Sequence, residues 1–249
     1  MQSRKRFIVF GMGRTGSSLL ADLLNAHPQV RCEGELFHAE RARLRLITQL
    51  RQRYPLCYLA YRQARMQLFS AKTVYGFKLH TKLNKPQLED MASFLHSAVQ
   101  QEWRIIHLTR KMLFSQVISG LVARQTGRYF GQAIQPEPLI QIEVAVDKLL
   151  IALEKTRVIH QNHQHILRDL PHLVLTYEDD LADQVNWPRT LARCCAYLDI
   201  AKVEAVHSCV TKPWQRSYAE LIGNYAELQA CYSAYVARNG LDWPAPTLR

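Results

Sequence analysis

The 249-residue chain is 48% hydrophobic, so it can bury a full core as one domain. Its formal net charge of +11 indicates an anionic partner, which could be nucleic acid, acidic lipid or a small polyanion. The basic residues form no single dense run and are not interleaved with aromatic residues, which argues against nucleic acid.

Neither membrane nor redox signals stand out. No apolar stretch approaches the ~20 residues of a membrane span. The apolar run after Arg4-Lys5-Arg6 leads straight into a glycine turn and does not read as a signal peptide. The six cysteines lack CxxC spacing, so we expect reduced thiols and a cytoplasmic protein.

The first element is a strand, turn and helix. The apolar run Phe7–Phe10 predicts a buried strand, and a glycine-rich turn follows at Gly11, Gly13 and Gly16. Leucines at helical spacing then predict a helix: Leu19, Leu20, Leu23 and Leu24. The first amides of such a helix lack partners, and the helix dipole favours an anion there, above all a phosphate-like group.

Three kinds of anion loop fit this turn to different degrees. The ATP-binding GxxxxGK[ST] loop is disfavoured because Ser17 stands where its lysine belongs. The dinucleotide fingerprint GxGxxG fits literally, with Glu33 or Glu35 as the ribose acid. Its second strand would be residues 29–32, which are few and interrupted by charge. The third interpretation is a loop of amides and hydroxyls with an arginine at its edge.

The loop sequence RTGSS resembles the 5′-phosphosulfate loop of sulfotransferases that use 3′-phosphoadenosine-5′-phosphosulfate (PAPS). The likeness continues through Ala26-His27-Pro28 and Val30-Arg31-Cys32 to Glu35. It is closest there to protein-tyrosine sulfotransferases, and elsewhere to bacterial glycolipid and trehalose sulfotransferases. The resemblance implies that the donor is held by Arg14, Thr15, Gly16, Ser17 and Ser18.

Residues 38–72 predict a helical insertion broken near Pro55. We interpret its arginines (41, 43, 45, 51, 53, 62 and 65) as a solvated face, with a lid that selects an acidic or sugar acceptor as the functional alternative. Thr73–His80 then predicts a core strand, on which Lys78 and His80 share one side. Two interpretations remain open for Lys78 and His80: a functional one, in which they lie near the acceptor, and a structural one, in which they are exposed polar residues at the end of a strand.

A second anion site is predicted after the strand Trp103–Thr109, where a helix follows. The resemblance implies that Arg110 and Ser119 bind the 3′-phosphate of the donor. The commoner spacing in the family would select Lys111 instead of Arg110, so both remain open. The alternative is an ordinary capped helix.

The C-terminal half contributes the last predicted strand, His172–Tyr177. The resemblance places Tyr177, at its end, beside the adenosine. Lys212 and Arg216 are candidates for a loop that closes the donor pocket, or else simple surface charge. The histidines at 160, 163 and 165 lack metal-ligand spacing, and we interpret them as a solvated helix end.

These elements predict an α/β fold: a P-loop-like, three-layer α/β/α domain with a central parallel sheet, spanning residues 1–249. The predicted reaction is in-line sulfuryl transfer from PAPS to an acceptor hydroxyl, leaving 3′,5′-adenosine bisphosphate and requiring no metal. Arg14 cannot deprotonate and would be an electrostatic clamp. Glu35 would be the general base and Glu33 the fallback. His38 and His80 are second-line bases.

The acceptor is expected to be a small molecule or glycan, with a carbohydrate, glycolipid or small alcohol preferred over peptide tyrosine. A glycolipid acceptor would bring the chain into peripheral contact with a membrane, and no nucleic acid is expected. Two other classes stay open: a Rossmann-type NAD(P)-linked oxidoreductase using Gly11–Gly16, and a non-catalytic nucleotide-binding protein.

Overall fold

A computed structural model of the chain describes residues 5–37, 51–81, 88, 90–129, 141–203, 207–210 and 216–244. The described residues fall into two compact units. One takes its residues from 5–109 and 162–208, the other from 110–161 and 209–244. The predicted single domain across residues 1–249 stays a prediction, and so does the lid role of residues 38–72.

The first unit contains a parallel β-sheet with the strand order β2-β3-β1-β4-β5. Its five strands are β1 (Arg6–Gly11), β2 (Val30–Glu35), β3 (Val74–His80), β4 (Trp103–Thr109) and β5 (His172–Thr176). The predicted parallel α/β sheet is thereby confirmed. The central position of β1 agrees with its unbroken apolar run, because a strand covered on both faces needs no polar alternation.

Helices separate the strands along the chain. Their bounds are α1 (Ser17–Asn25), α2 (Pro55–Phe69), α3 (Met91–Gln100), α4 (Leu113–Thr126), α5 (Val146–Leu167), α6 (Trp187–Leu198), α7 (Tyr218–Leu221) and α8 (Tyr225–Arg238). In addition, Tyr177–Leu181 forms a π-helical turn and Gln184–Asn186 a 3₁₀ turn. No helix among the described residues is long and apolar enough to cross a membrane.

Side chains of β1 alternate between two cores, which makes the first unit three-layered. Ile8 and Phe10 pack on one face of the sheet with buried residues of α2 and α3, such as Leu59 and Phe94. On the opposite face, Phe7 and Val9 pack with buried residues of α1 and α6, for example Leu20 and Leu191. The sheet is therefore covered by helices on both sides, as the predicted α/β/α architecture requires.

Strand β2 forms an edge of the sheet, although the sequence analysis considered a strand at residues 29–32 only for the dinucleotide-binding alternative and disfavoured it. Its outer side is partly capped by Asn25 at the end of α1. The Asn25 amide donates to the carbonyl of Cys32 at 2.8 Å and accepts from the backbone amide of Cys32 at 2.8 Å. Charged residues are common in strands at the edge of a sheet, so those within β2 do not prevent it from pairing with β3.

The second unit is helical and has its own core. Buried residues of α4, α5 and α8 form it, with the bridge between Ile142 and Ile222 at its side. Examples are Phe114, Ile118, Leu149, Leu153, Leu228 and Tyr232.

Two sequence interpretations are wrong in part. His163 does not lie on a solvated helix end: it is buried, its ring centroid lies 4.3 Å from that of Phe10, and its Nε2 lies 2.8 Å from Oγ1 of Thr81. Arg51 is likewise buried, and its Nη1 donates to the carbonyl of Leu36 at 3.2 Å. A polar side chain can be buried when it finds a hydrogen-bonding partner in the core. Because that partner comes from elsewhere in the chain, helical spacing alone does not predict the burial.

Candidate functional site

The glycine-rich turn between β1 and α1 has the backbone shape of an anion-binding loop. Arg14 and Gly16 both adopt left-handed conformations, with φ of 65° and 87°. Left-handed residues within such turns direct successive amides into a common concavity that suits an anion. The Thr15 hydroxyl donates to the carbonyl of Met12 at 2.9 Å, so this side chain stabilises the loop itself.

Helix α1 begins immediately after the loop, at Ser17. No side chain caps its N-terminus. The amides of its first turn therefore add to those of the loop, and the positive end of the helix dipole lies at the same place.

Gly16 is required where it stands. A Cβ atom at this position would lie 2.6 Å from Cδ2 of Tyr177, closer than real Cβ atoms approach any neighbour. The left-handed φ of Gly16 is a second reason, because L side chains rarely adopt it. The structure thus brings Tyr177, from the end of β5, against the loop.

Asp180 anchors the turn that carries Tyr177. Its carboxylate is buried, accepts from the backbone amide of Thr176 at 2.8 Å, and accepts from Nη1 of Arg193 at 2.5 Å. The Thr190 hydroxyl donates to the Asp180 carbonyl at 2.8 Å. Sequence reasoning missed this role, although the acidic run after β5 drew attention to the segment.

Strand β3 brings two polar side chains to the same loop. Nζ of Lys78 lies 3.1 Å from Oγ of Ser18, and Nε2 of His80 lies 2.9 Å from Oγ of Ser17. Both strand residues are buried. The prediction that Lys78 and His80 share one side of the strand is confirmed.

Glu35 joins this group from the end of β2. Its Oε1 lies 3.0 Å from Nδ1 of His80, and its side chain is 22% exposed against 6% for His80. One imidazole therefore connects the Glu35 carboxylate to the Ser17 hydroxyl. With Glu35 ionised, Nδ1 donates to the carboxylate and Nε2 accepts from Ser17, which is the tautomer that satisfies all three groups.

Glu33 lies on the opposite face of the sheet, although only Gly34 separates it from Glu35. The pairing of β2 with β3 shifts register between the two glutamates. Such a bulge changes the side to which the following residue points. Glu33 accepts from Nη2 of Arg62 at 2.6 Å and from the hydroxyl of Tyr75 at 2.7 Å.

The contact with Glu33 changes the pKa values of both of its partners, Tyr75 and Arg62. Burial and the negative charge of Glu33 raise the pKa of Tyr75 well above its usual range, so the phenol stays a donor. Burial by itself would lower the pKa of Arg62, but the hydrogen bond and charge of Glu33 raise it overall. Glu33 therefore holds α2 to the sheet, and Arg62 is not part of a solvated face as the sequence analysis expected.

Two adjoining cavities lie between β2 and α2. The first has a volume of 390 Å³, and its lining includes Glu35 together with Arg31, Arg51 and Arg62. The second has a volume of 620 Å³ and shares Arg31, Glu33 and Arg62 with the first. Glu35 thus lines a basic cavity, and its carboxylate contacts His80.

Comparison with known proteins decides the family to which this loop and its partners belong. A model described as the sulfotransferase family matches residues 6–204, which span all five strands of the sheet. The chain belongs to the sulfotransferase family.

Two relatives extend over nearly the whole sulfotransferase chain. Nodulation protein H of Rhizobium tropici is 25% identical over 237 residues, which cover 92% of this chain and 90% of the relative. The crystal structure of a sulfotransferase from Alicyclobacillus acidocaldarius has a similar fold. Its TM-score is 0.50 at 16% identity, and the match covers 95% of this chain and 94% of that one.

The second unit of the sulfotransferase contains the three residues predicted to bind the 3′-phosphate. Arg110 is half-buried and Lys111 exposed, and the Lys111 carbonyl accepts from the backbone amide of Leu113 at 3.0 Å where α4 begins. Ser119 is buried within α4. Their role stays a prediction.

Two further predicted residues, His38 and Lys212, lie outside the described residues. Arg216 is described and half-buried, and it precedes α7, whose Ser217 forms a capping box with Glu220. Their roles, too, stay predictions.

Proposed function

We propose that the chain transfers a sulfuryl group from PAPS to an acceptor hydroxyl. The observation that carries this proposal is the hydrogen-bonded connection from Ser17 through His80 to Glu35. It joins an anion-binding loop to a carboxylate that lines a cavity. Transfer of a sulfuryl group between two oxygens needs a site that stabilises the anionic group, and it also needs a base beside the acceptor hydroxyl.

The residues of the loop fit an anionic donor. The left-handed backbone at Arg14 and Gly16, the uncapped start of α1 at Ser17, and the Ser18 hydroxyl all favour negative charge. Lys78, beside Ser18, adds a positive charge at the same edge of the sheet. When bound, PAPS would supply the sulfuryl group and leave as 3′,5′-adenosine bisphosphate.

The other end of the donor is assigned by resemblance to the family. We assign the 3′-phosphate to Ser119 and to Arg110, with Lys111 as the alternative, and the adenosine to Tyr177. The contact between Tyr177 and Gly16 supports its place beside the loop. Lys212 would close the pocket.

Glu35 is the proposed general base. Because the Glu35 carboxylate and the His80 imidazole are hydrogen bonded, a proton taken from the acceptor is held by the pair rather than by one residue alone. His80 is therefore the second candidate. Glu33 is the weakest of the three, since both Arg62 and Tyr75 already donate to it on the other face of the sheet.

The proposed acceptor is a carbohydrate or a glycolipid. The cavity beside Glu35 is lined by three arginines, and planar guanidinium groups suit hydroxyl-rich and acidic ligands. A flat aromatic acceptor would offer fewer oxygen atoms to these guanidinium groups. The cytoplasmic location expected from the sequence stays a prediction.

The nicotinamide-linked alternative finds little support in the sheet. In the dinucleotide-binding fold the strand that ends in the ribose acid lies next to β1, in the order 3-2-1-4-5-6. Here β3 separates β2 from β1. Glu33 and Glu35 therefore lie on the edge strand, away from the position where a ribose acid belongs.

Calorimetry with PAPS and 3′,5′-adenosine bisphosphate, followed by transfer of ³⁵S from PAPS to a panel of sugars, glycolipids and peptides, tests the proposal. We expect both nucleotides to bind, and Arg14→Ala to weaken binding by about 10- to 100-fold through loss of a charge-assisted contact. Arg53→Ala, which removes an exposed arginine of the first unit, is the matched control.

Three outcomes are distinguishable. Binding of NAD(H) without binding of the bisphosphate would contradict the proposal. Donor binding without turnover on any acceptor would point to the non-catalytic alternative. Transfer to peptide tyrosine in preference to sugars would leave the donor assignment intact and overturn the acceptor assignment.

A further inference from the structure

Helix α2 is apolar on the face that it turns to solvent. Its inner face packs Tyr58, Leu59 and Met66 into the core. A surface helix normally carries polar residues opposite such a stripe. The outer stripe of α2, at helical spacing, consists instead of Cys57, Ala60, Tyr61, Ala64, Arg65 and Leu68.

The end of this helix protrudes most. Leu68 is 78% exposed and Phe69 is 82% exposed, side by side in the last turn. Tyr54, directly before the helix, and Tyr61 are about half exposed as well. Tyr54, Tyr61 and Leu68 are spaced seven residues apart, which places them on one side of the helix, and several large apolar side chains exposed on one side indicate a binding surface.

The stretch of sequence that contains this helix carries a large excess of positive charge. No acidic residue occurs between Glu40 and Glu89 in the sequence. The interval accounts for the whole net charge of +11, because the other 21 basic residues of the chain balance its 21 acidic residues. Its basic residues are Arg41, Arg43, Arg45, Arg51, Arg53, Arg62, Arg65, Lys72, Lys78, Lys82 and Lys85.

We propose that the outer face of α2 docks on an anionic lipid surface. A helix that lies in a membrane interface presents aromatic and aliphatic residues to the acyl boundary and basic residues to the headgroups. Leu68 and Phe69 supply the first group, and the exposed Arg65, together with Arg53 just before the helix, supplies the second. Each basic residue near an anionic leaflet adds attraction, and tyrosines favour the headgroup level.

Two other occupants fit the face less well. A second copy docked through the same face would, by two-fold symmetry, bring arginines of α2 close to their own copies with no carboxylate between them. An acidic protein would match the charge. However, Leu68 and Phe69 protrude from the surface, and protein interfaces usually bury their central side chains in pockets of the partner. Protruding apolar side chains can instead insert among the acyl chains of a bilayer.

Docking in this way would present a lipid-anchored acceptor to the site. The 620 Å³ cavity is lined by Arg65 and Phe69, and it adjoins the cavity that contains Glu35. A polar headgroup at the membrane would have a basic route to that carboxylate. This consequence rests on the proposed transferase function, whereas the docking itself does not.

Vesicle flotation tests the docking without donor or acceptor. The probes are vesicles of phosphatidylcholine alone and vesicles with about one-third phosphatidylglycerol. We expect the chain to bind only the anionic vesicles and to be released in about 1 M salt, where charges are screened. The double variants L68S/F69S and R53Q/R65Q should each weaken binding by about tenfold or more.

Matched controls remove equivalent residues elsewhere in the first unit. Val185→Ser removes an apolar side chain that is 82% exposed, and Arg168→Gln removes an exposed arginine. Both should bind vesicles like the unchanged chain. Circular dichroism melting of each variant establishes that it is folded.

Three results would overturn the proposal. One is failure of the unchanged chain to bind anionic vesicles, and another is binding by the folded α2 variants at the original strength. The third is a dimer in sedimentation velocity that L68S/F69S converts to a monomer, which would assign the face to a second copy. None of these results affects the assignment of PAPS, which calorimetry tests separately.

Discussion

The Glu35 carboxylate lies 3.0 Å from Nδ1 of His80, on the side of the sheet that also holds the anion-binding loop. The two residues come from neighbouring strands, β2 and β3, and each is the last residue of its strand. Parallel strands bring their carboxyl ends to one edge, so residues 45 positions apart in the chain become hydrogen-bonding partners there.

Glu35→Gln should lower kcat by about 10²- to 10⁴-fold, because the amide cannot take a proton from the acceptor. Binding of 3′,5′-adenosine bisphosphate should change little, since the amide can still accept from Nδ1 of His80. Steady-state transfer of ³⁵S and calorimetry on the same preparation measure the two effects.

The control is Glu33→Gln, two residues away. It should leave kcat within a few-fold and instead lower the free energy of unfolding by about 1–3 kcal/mol, because Arg62 and Tyr75 lose a charged partner. A large drop in kcat for Glu33→Gln, with none for Glu35→Gln, would reverse the assignment of the base.

Gly16→Ala should lower the free energy of unfolding by about 2–4 kcal/mol. The added methyl group meets the ring of Tyr177, and the left-handed φ of 87° strains any residue with a Cβ. Gly13→Ala is the control, since a Cβ there has nothing within 4 Å. Urea unfolding compares the two, and equal stability of both variants would contradict the packing of Tyr177 on the loop.

Asp180→Asn should lower the free energy of unfolding by about 2–3 kcal/mol and weaken donor binding. The buried carboxylate loses its charge beside Arg193, and the turn that carries Tyr177 loses its anchor. Asp183→Asn changes an exposed cap of the next turn, where asparagine caps equally well, and should cost less than about 0.5 kcal/mol. Thermal unfolding and calorimetry measure both variants, and wild-type donor affinity in Asp180→Asn would contradict the anchoring role.

The pH dependence of stability should carry a contribution from His160. Burial lowers the pKa of His160 from its ordinary value of 6.5, so the unfolded chain binds the proton more readily. Its contribution to stability is present above pH 6.5 and is lost as the pH falls below that value.

His160→Gln should therefore flatten the loss of melting temperature between about pH 7 and pH 5. His165→Gln, which changes an exposed histidine of the same helix, is the control. An unchanged slope in His160→Gln would show that the acid sensitivity comes from other groups.

Local patterns were sufficient for four of the five strands that the structure describes. Residues 7–10, 73–80, 103–109 and 172–177 were each predicted as strands, because short runs rich in apolar, β-branched and aromatic residues favour strands. The anion loop was equally predictable, since several glycines between a strand and a helix favour a tight turn at the start of that helix. Strand β2 was not readable, because its polar composition suits a turn as well as an edge strand.

The sequence by itself determined four of the five strands, the anion-binding loop and the excess of positive charge between residues 40 and 89. Each of these follows from neighbours along the chain. The tertiary structure alone decided which glutamate meets His80, because a register shift at the edge of the sheet sends Glu33 and Glu35 to opposite faces. It alone decided that Asp180 holds Tyr177 against Gly16 and that α2 leaves an apolar face in water, since pairing and burial depend on residues far apart in the chain.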